Sequence, residues 1–334
     1  MKAYEWERYG PPETLRLAEV EKPVPDTGEV LVKVLAVSVN PADWHSMRAK
    51  PLFSRATLGL LRPKHKILGG DIAGQVEAVG SGVTQFKPGD EVYANLLDHG
   101  YGGFAEYVSV PVDVMSLKPA NLTFEEAAAV PMAAVTALQG LRHHGEIQPV
   151  QKVLINGRFR RRRHLCGPDR QVVRGRGDRR DQHRQHRPRP FARRRSRRRL
   201  HEDRLRRSGR RYDLILDTVG NRSVPDLRRA LAEGGKAAVT GFTSVGKLMG
   251  VSLRGGRDIA RVSAHVTAKD LELLSQLIEA EKVRPQIDRR YPFAEIPAAI
   301  AYLEQGHARG KVVAGGEASP DVDPRHPTMP PESA

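Results

Sequence analysis

The 334 residues include a single cysteine, Cys166. One thiol excludes an internal disulfide framework and suits a reducing compartment, so a cytoplasmic location is the expectation. No apolar run is long enough to cross a bilayer, and no charged-then-apolar leader opens the chain. Internal repeats are absent too. The formal charge of +16 suggests a basic surface at first sight. That impression fails once the charge is located. Arg158–Arg207 holds 22 arginines, no lysine and five acidic residues, a balance of +17, so the rest of the chain sums to −1. The basic character belongs to one stretch.

The stretch interrupts a recognisable pattern. Val153, Leu154 and Ile155 form a short apolar run ending at Asn156-Gly157. Such a run reads as a buried parallel strand that ends in a turn. A glycine-rich loop opening a helix should follow in a nucleotide-binding βαβ unit, because glycine lets the backbone approach a pyrophosphate and the helix N-terminus favours its charge. Instead Arg158-Phe159-Arg160-Arg161-Arg162-Arg163 follows. Four adjacent arginines cannot make that turn, since each carries a Cβ and a long side chain where glycine is needed. Only seven of the fifty residues from Arg158 to Arg207 are Leu, Ile, Val or Phe. Disorder is the expectation for so few apolar residues among so much charge.

The genetic code offers a cause. Arg160–Leu165 can be written CGG CGG CGT CGG CAC CTT. Read one base later, this gives G-G-V-G-T. One inserted C in an N-G-A-S-G-G-V-G-T text produces the Gly157-Arg158-Phe159-Arg160 that stands here. Continued along the stretch, the shifted reading yields F-A-V-Q-I-A-K-S-F-G-A-E-V-T-G-V and later D-L-V-R-S-L-G-A-D-R-V-V-D-Y. Those strings carry a helix period, then a strand, then a second helix and strand, as a dinucleotide fold needs. A compensating shift between His201 and Arg211 restores sense by Tyr212. The competing reading is a genuine arginine arm that holds nucleic acid non-specifically through its phosphates. It lacks interleaved aromatics for base stacking, and nothing around it resembles a nucleic-acid module.

The first 120 residues read as short strands and glycine turns, which suggests a small β-barrel. Val30–Val39 alternates as a half-buried strand should. Thr123-Phe124-Glu125-Glu126 is a capping box, with Pro131 interrupting the helix it starts and a second helix over Ala133–Leu141. Tyr212–Asp217 and Lys236–Thr240 read as parallel strands, with a helix over Val224–Ala232 between them and another strand over 258–266. Leu271–Ala280 and Phe293–Glu304 read as helices and Gly310–Val313 as a closing strand. The Pro-, Asp-, Glu- and Ser-rich residues 316–334 read as a disordered tail.

Several motifs carry a resemblance. They are V-N-P-A-D at Val39–Asp43, G-G-D-I-A-G at Gly69–Gly74, V-G-S-G-V at Val79–Val83, F-K-P-G-D-E-V at Phe86–Val92 and G-G-F-A-E-Y at Gly102–Tyr107. A-A-V-P-M-A-A-V-T-A-L at Ala128–Leu138, D-T-V-G at Asp217–Gly220 and A-R-G-K-V-V at Ala308–Val313 continue the series. In this order and spacing the chain resembles the medium-chain dehydrogenase/reductase superfamily, in particular its zinc-independent quinone oxidoreductase-like branch. The resemblance implies an α/β fold: a GroES-like β-barrel catalytic domain plus a doubly wound Rossmann-type parallel sheet, disrupted at 158–207. The expected domains are 1–122, 123–268 and a return segment 269–315 to the first domain, then the tail.

The same resemblance implies reduction of a quinone, enone or carbonyl by hydride transfer from NADPH or NADH, with NADPH favoured. Zinc-dependent relatives place a cysteine where Asn40 stands and a His-Glu pair where Gly70-Asp71 stands. Asn40 and Gly70 supply neither thiolate nor imidazole, and Asp71 alone is insufficient, so no metal is expected. Asn40 is the expected catalytic residue, as a side-chain amide that could stabilise an oxyanion. The expected cofactor contacts are Asn40, Thr136, Gly157, Asp217, Gly241, Phe242 and Lys311. His45, near the expected cleft, reads as a polar or structural residue. No membrane partner is expected, and a homodimer is compatible with the reading. A catalytically inactive binding protein stays open as the alternative, beside the nucleic-acid arm. The loss of the glycine turn makes poor dinucleotide binding the expectation for this copy.

Overall fold

A computed structural model describes residues 1–157, 210–241 and 244–315. The arginine stretch, with the disorder and frameshift readings placed on it, lies outside the described residues, as do Phe242 and residues 316–334. Two compact units emerge. One comprises Met1–Met132 with the segment that begins at Val266, and the other is Ala133–His265.

The first unit is organised on β3 (Glu29–Val39), eleven residues long. One edge of β3 pairs antiparallel with β4 (Asp71–Val79). Its other edge is shared. β6 (Tyr107–Pro111) takes the first half, from Glu29 to Lys33, and β13 (Lys311–Gly315) takes the second, from Ala36 to Val39. β4 continues to β5 (Glu91–Asn95) and β7 (Met115–Leu117), and β13 carries β12 (Ile287–Pro292) in parallel. A separate hairpin joins β1 (Lys2–Glu5) to β2 (Arg16–Glu19). The β-rich reading of this region therefore holds.

One detail differs. Val30–Leu31–Val32 and Ala36–Val39 are buried at successive positions, not alternate ones. The α-helices Phe124–Ala128 (α3) and Ile296–Glu304 (α8) lie against β3, so both of its faces are covered where alternation predicts one. Trp6, Met47, Leu68, Ile72 and Phe104 fill the core around it.

Helix starts follow sequence chemistry. Asn40 follows the last residue of β3 and caps α1 (Pro41–Met47), with proline at the first helical position. A short turn of helix, α2, covers Arg55–Leu58. At the start of α3 the Thr123 hydroxyl accepts from Glu126 N–H and the Glu126 carboxylate accepts from Thr123 N–H, both at 3.2 Å. The expected capping box is present. Pro131 starts the next helix, α4 (Pro131–Gln139), which widens into a π-helical turn over Gly140–His144. α7 (Ala268–Glu279) begins three residues before the expected Leu271 because Thr267 caps it, accepting from Asp270 N–H at 3.2 Å.

The second unit contains a parallel sheet in the order β11-β10-β9-β8. These strands are β8 (Val153–Asn156), β9 (Tyr212–Asp217), β10 (Leu231–Val239) and β11 (Ile259–Arg261). α5 (Val224–Ala230) connects β9 to β10, and α6 (Val245–Arg254) precedes β11. The expected helix to Ala232 stops at Ala230, because Leu231 already pairs with Tyr212 in β9. Gly234 (φ +70°) lies within the register shift of β10, between Leu231 and Lys236. β8 is not the buried strand expected. Ile155 is 42% exposed and Leu154 only half-buried, because β8 is the edge strand of the described sheet. Among the described residues no helix is long and apolar enough to cross a membrane.

Candidate active site

Four strand termini meet at one edge of the first unit. Ser38 in β3 faces Asp71 at the start of β4, and Asp71 faces Asn95 at the end of β5. On the other edge of β3, Val39 faces Val312, which sets Asn40 beside Lys311 across the antiparallel pair. Asn40, Asp71, Asn95 and Lys311 are thus gathered by register, although Asn40 and Lys311 lie 271 positions apart.

Asp71 is the centre of the cluster, with no exposed surface. Its Oδ1 accepts from Asn95 Nδ2 at 2.7 Å and from the Met132 N–H at 3.0 Å. Its Oδ2 accepts from Asn40 Nδ2 at 2.9 Å and from Lys311 Nζ at 3.1 Å. Lys311 Nζ also donates to Asn40 Oδ1 at 2.5 Å. The second Asn40 Nδ2 hydrogen goes to Ser38 O at 3.2 Å. The Asn40 amide is therefore fully engaged, and neither of its hydrogens is left over for an acceptor oxygen. Such a satisfied network tolerates burial that any one member alone would not.

Asp43, on the first turn of α1, is the strained member. Its Oδ2 accepts from Asn40 N–H at 2.6 Å, while its buried Oδ1 finds no partner among the described residues. Burial pushes its carboxyl up to about 7; the Asn40 N–H opposes the rise, the Asp71 charge adds to it, and Lys311 and the Gly70 N–H oppose it. A carboxyl whose folded value lies above its unfolded one binds a proton more tightly when folded. Its contribution favours the fold below that value and is lost as pH rises from about 4 to about 7. Asp43→Asn is expected to flatten the pH dependence of stability in that window and to stabilise the first unit at pH 8. Urea unfolding at pH 5 and pH 8 checks this.

His45 is tied down nearby. Its Nδ1–H donates to Lys50 O at 3.1 Å, and its ring stacks on Trp44 with centroids 3.7 Å apart. Burial lowers its pKa below the ordinary histidine value.

A second set of expected residues lies along the carboxyl edge of the parallel sheet. Asn156 faces Asp217, and Asp217 faces Val239. Gly157, the Asp217–Gly220 turn and Thr240-Gly241 therefore lie side by side, where parallel sheets receive ligands. Asp217 Oδ1 accepts from Asn156 Nδ2 at 2.7 Å, Gly220 N–H at 2.9 Å and Val219 N–H at 3.0 Å. Its buried Oδ2 has no partner among the described residues. A Cβ at Gly241 would come within 2.5 Å of Thr218 O, so only glycine fits there. Thr136 sits half-buried on α4.

Sequence reasoning singled out Asn40 and Lys311 separately but not as partners, and it missed Asn95 and Asp43. The one available signal was an aspartate, Asp71, opening an apolar strand (Ile72-Ala73) where a charge needs a partner. Among the described residues no group of three or more His, Cys, Asp or Glu side chains could hold a metal ion.

Residues 26–120 match the alcohol dehydrogenase GroES-like domain family, and residues 192–313 match the zinc-binding dehydrogenase family. The fold is that of the quinone oxidoreductase from Coxiella burnetii, with a TM-score of 0.73 and 24% identity over 95% of this chain and 99% of that one. The NAD(P)H oxidoreductase RTN4IP1, mitochondrial, of Danio rerio is 30% identical, over 94% of this chain and 90% of that protein. The NADPH-dependent alkenal/one oxidoreductase, chloroplastic, of Arabidopsis thaliana is 29% identical, over 94% and 79%. The chain belongs to the medium-chain dehydrogenase/reductase superfamily, in its quinone oxidoreductase-like group, and is by family an NAD(P)-dependent oxidoreductase.

Proposed function

We propose that the chain is built to reduce a quinone, enone or conjugated carbonyl with NAD(P)H, NADPH preferred, and without zinc. The names of its relatives support the substrate class, since one is an alkenal/one oxidoreductase and others are quinone oxidoreductases. The bound nicotinamide would supply hydride. Gly157, Asp217 and Gly241 would hold the dinucleotide through turns of small residues, and Thr136 would add a polar contact.

The observation that carries the zinc-free part is the Lys311 ammonium held between Asn40 and Asp71. Those are the positions from which zinc-dependent relatives supply ligands. A metal dication there would face a fixed positive charge, a repulsion of about 4 kcal/mol per unit charge at 4 Å and moderate screening. An amide, a carboxylate and an ammonium also lack the thiolate and imidazole that zinc prefers.

The test uses a version with the glycine turn restored after Gly157. Quinone-dependent NADPH oxidation is expected to survive exhaustive chelation unchanged. Loss of activity on chelation, with recovery on adding zinc, would sink the zinc-free reading.

A further inference from the structure

We infer that Lys311, not Asn40, is the catalytic residue that meets the acceptor's oxygen, and that Asn40 and Asp71 are positioning residues that hold its ammonium. This rests on the reductase reading above. Three observations carry it. The Asn40 amide has no hydrogen to spare, since Ser38 O and Asp71 Oδ2 take both. The Lys311 ammonium has three hydrogens and only two partners among the described residues, Asn40 Oδ1 and Asp71 Oδ2. Finally, Asp71 is wholly buried and Asn40 nearly so, whereas the Lys311 side chain keeps 16% of its surface exposed. Asn95, the other amide of the cluster, is buried, so the donor that combines a spare hydrogen with exposed surface is Lys311, a cation fixed at two points.

The chemistry matches. A hydride, one hydrogen with its two electrons, added to the far carbon of an enone forms a new C–H bond. The π pair of the C=C bond shifts toward the carbonyl, and the carbonyl π pair settles on oxygen. The enolate so formed carries a full negative charge at that oxygen. An ammonium already oriented there stabilises the charge as it develops, with no reorganisation at the moment of reaction. A solvent proton on the adjacent carbon then gives the saturated ketone. A quinone follows the same course, with protons from solvent completing the hydroquinone. Lys311 need not lose its proton at any step.

An oxyanion probe tests this on the full chain, without cofactor. 4-Nitrophenol resembles a hydroquinone in its phenolic oxygen, and its ionisation is read directly from absorbance. An opposite charge within hydrogen-bond reach lowers such an ionisation midpoint by about one unit or more. The bound probe is expected to ionise at least about one unit lower in the parent chain than in Lys311→Met. The arginine stretch contributes equally to both chains and cancels in the difference. Lys311→Arg should restore most of the shift. If Lys311→Met fails to fold, Lys311→Met/Asp71→Asn removes both charges together and should likewise lack the shift. Equal midpoints in the parent and the Met-bearing chains would overturn the assignment, as would a parent chain that does not bind the probe. A lost shift in Lys311→Met, combined with no quinone reduction by the turn-restored chain, would leave the oxyanion site standing and sink the reductase reading instead.

Discussion

With a glycine-rich turn restored after Gly157, the protein is expected to bind NADPH and oxidise it with a quinone at least about a hundredfold better than the chain as it stands. The figure follows from what a glycine-rich cradle contributes to binding. A pyrophosphate takes charge-assisted hydrogen bonds from backbone N–H groups, each worth about 1.5–3 kcal/mol. Losing two of them costs about 3–6 kcal/mol, or two to four powers of ten in affinity. Arg158–Arg163 would supply positive charge in exchange, but it contains no glycine, so every residue carries a Cβ. Along the carboxyl edge of the sheet Asn156, Asp217 and Val239 are in register, and a Cβ at Gly241 would meet Thr218 O. Saturable NADPH binding of equal strength in both chains would refute the impairment. Sequencing the gene across codons 157–212 bears on its origin, since clean reads matching this chain would exclude an error of reading.

Asp71→Ala should produce the largest loss of stability of any single change in the first unit, about 3–5 kcal/mol, the usual cost of removing one partner from a buried ion pair. The carboxylate accepts four hydrogen bonds, from two side-chain amides, one backbone N–H and the Lys311 ammonium. Truncation leaves all four donors facing a void. Asp71→Asn keeps an acceptor and should cost less. The protein has two tryptophans, Trp6 and Trp44, and both lie in the first unit. Fluorescence-detected urea unfolding therefore reports this unit alone. A loss below about 1 kcal/mol would mean that the cluster contributes no more than an ordinary exposed pair.

Much of the fold was legible because it is written locally. The capping box at Thr123, the apolar run Tyr212–Asp217 and the proline at 131 each act within a few residues. Strand β12 escaped notice because Ile287–Pro292 is a charged sequence, with Arg289 and Arg290 exposed, and only pairing with β13 makes it a strand. The candidate site was legible as a set of positions and not as a network. Whether Asn40 faces Lys311 depends on which residue of β13 pairs with Val39, and a slip of one residue would turn Lys311 to the other face. The same limit hid the burial of β3 on both faces, which depends on helices from distant parts of the chain.

The shared edge of β3 has a consequence for synthesis on the ribosome. A nascent chain that has delivered everything through Met132 still holds half of that edge unpaired, because β13 emerges almost two hundred residues later. Until then the carboxylate of Asp71 lacks its counter-ion, and the half-made sheet offers an open template to other polypeptides. Folding of this unit must therefore wait until β13 has been made, and a stop codon anywhere before Lys311 would yield a product without its electrostatic keystone.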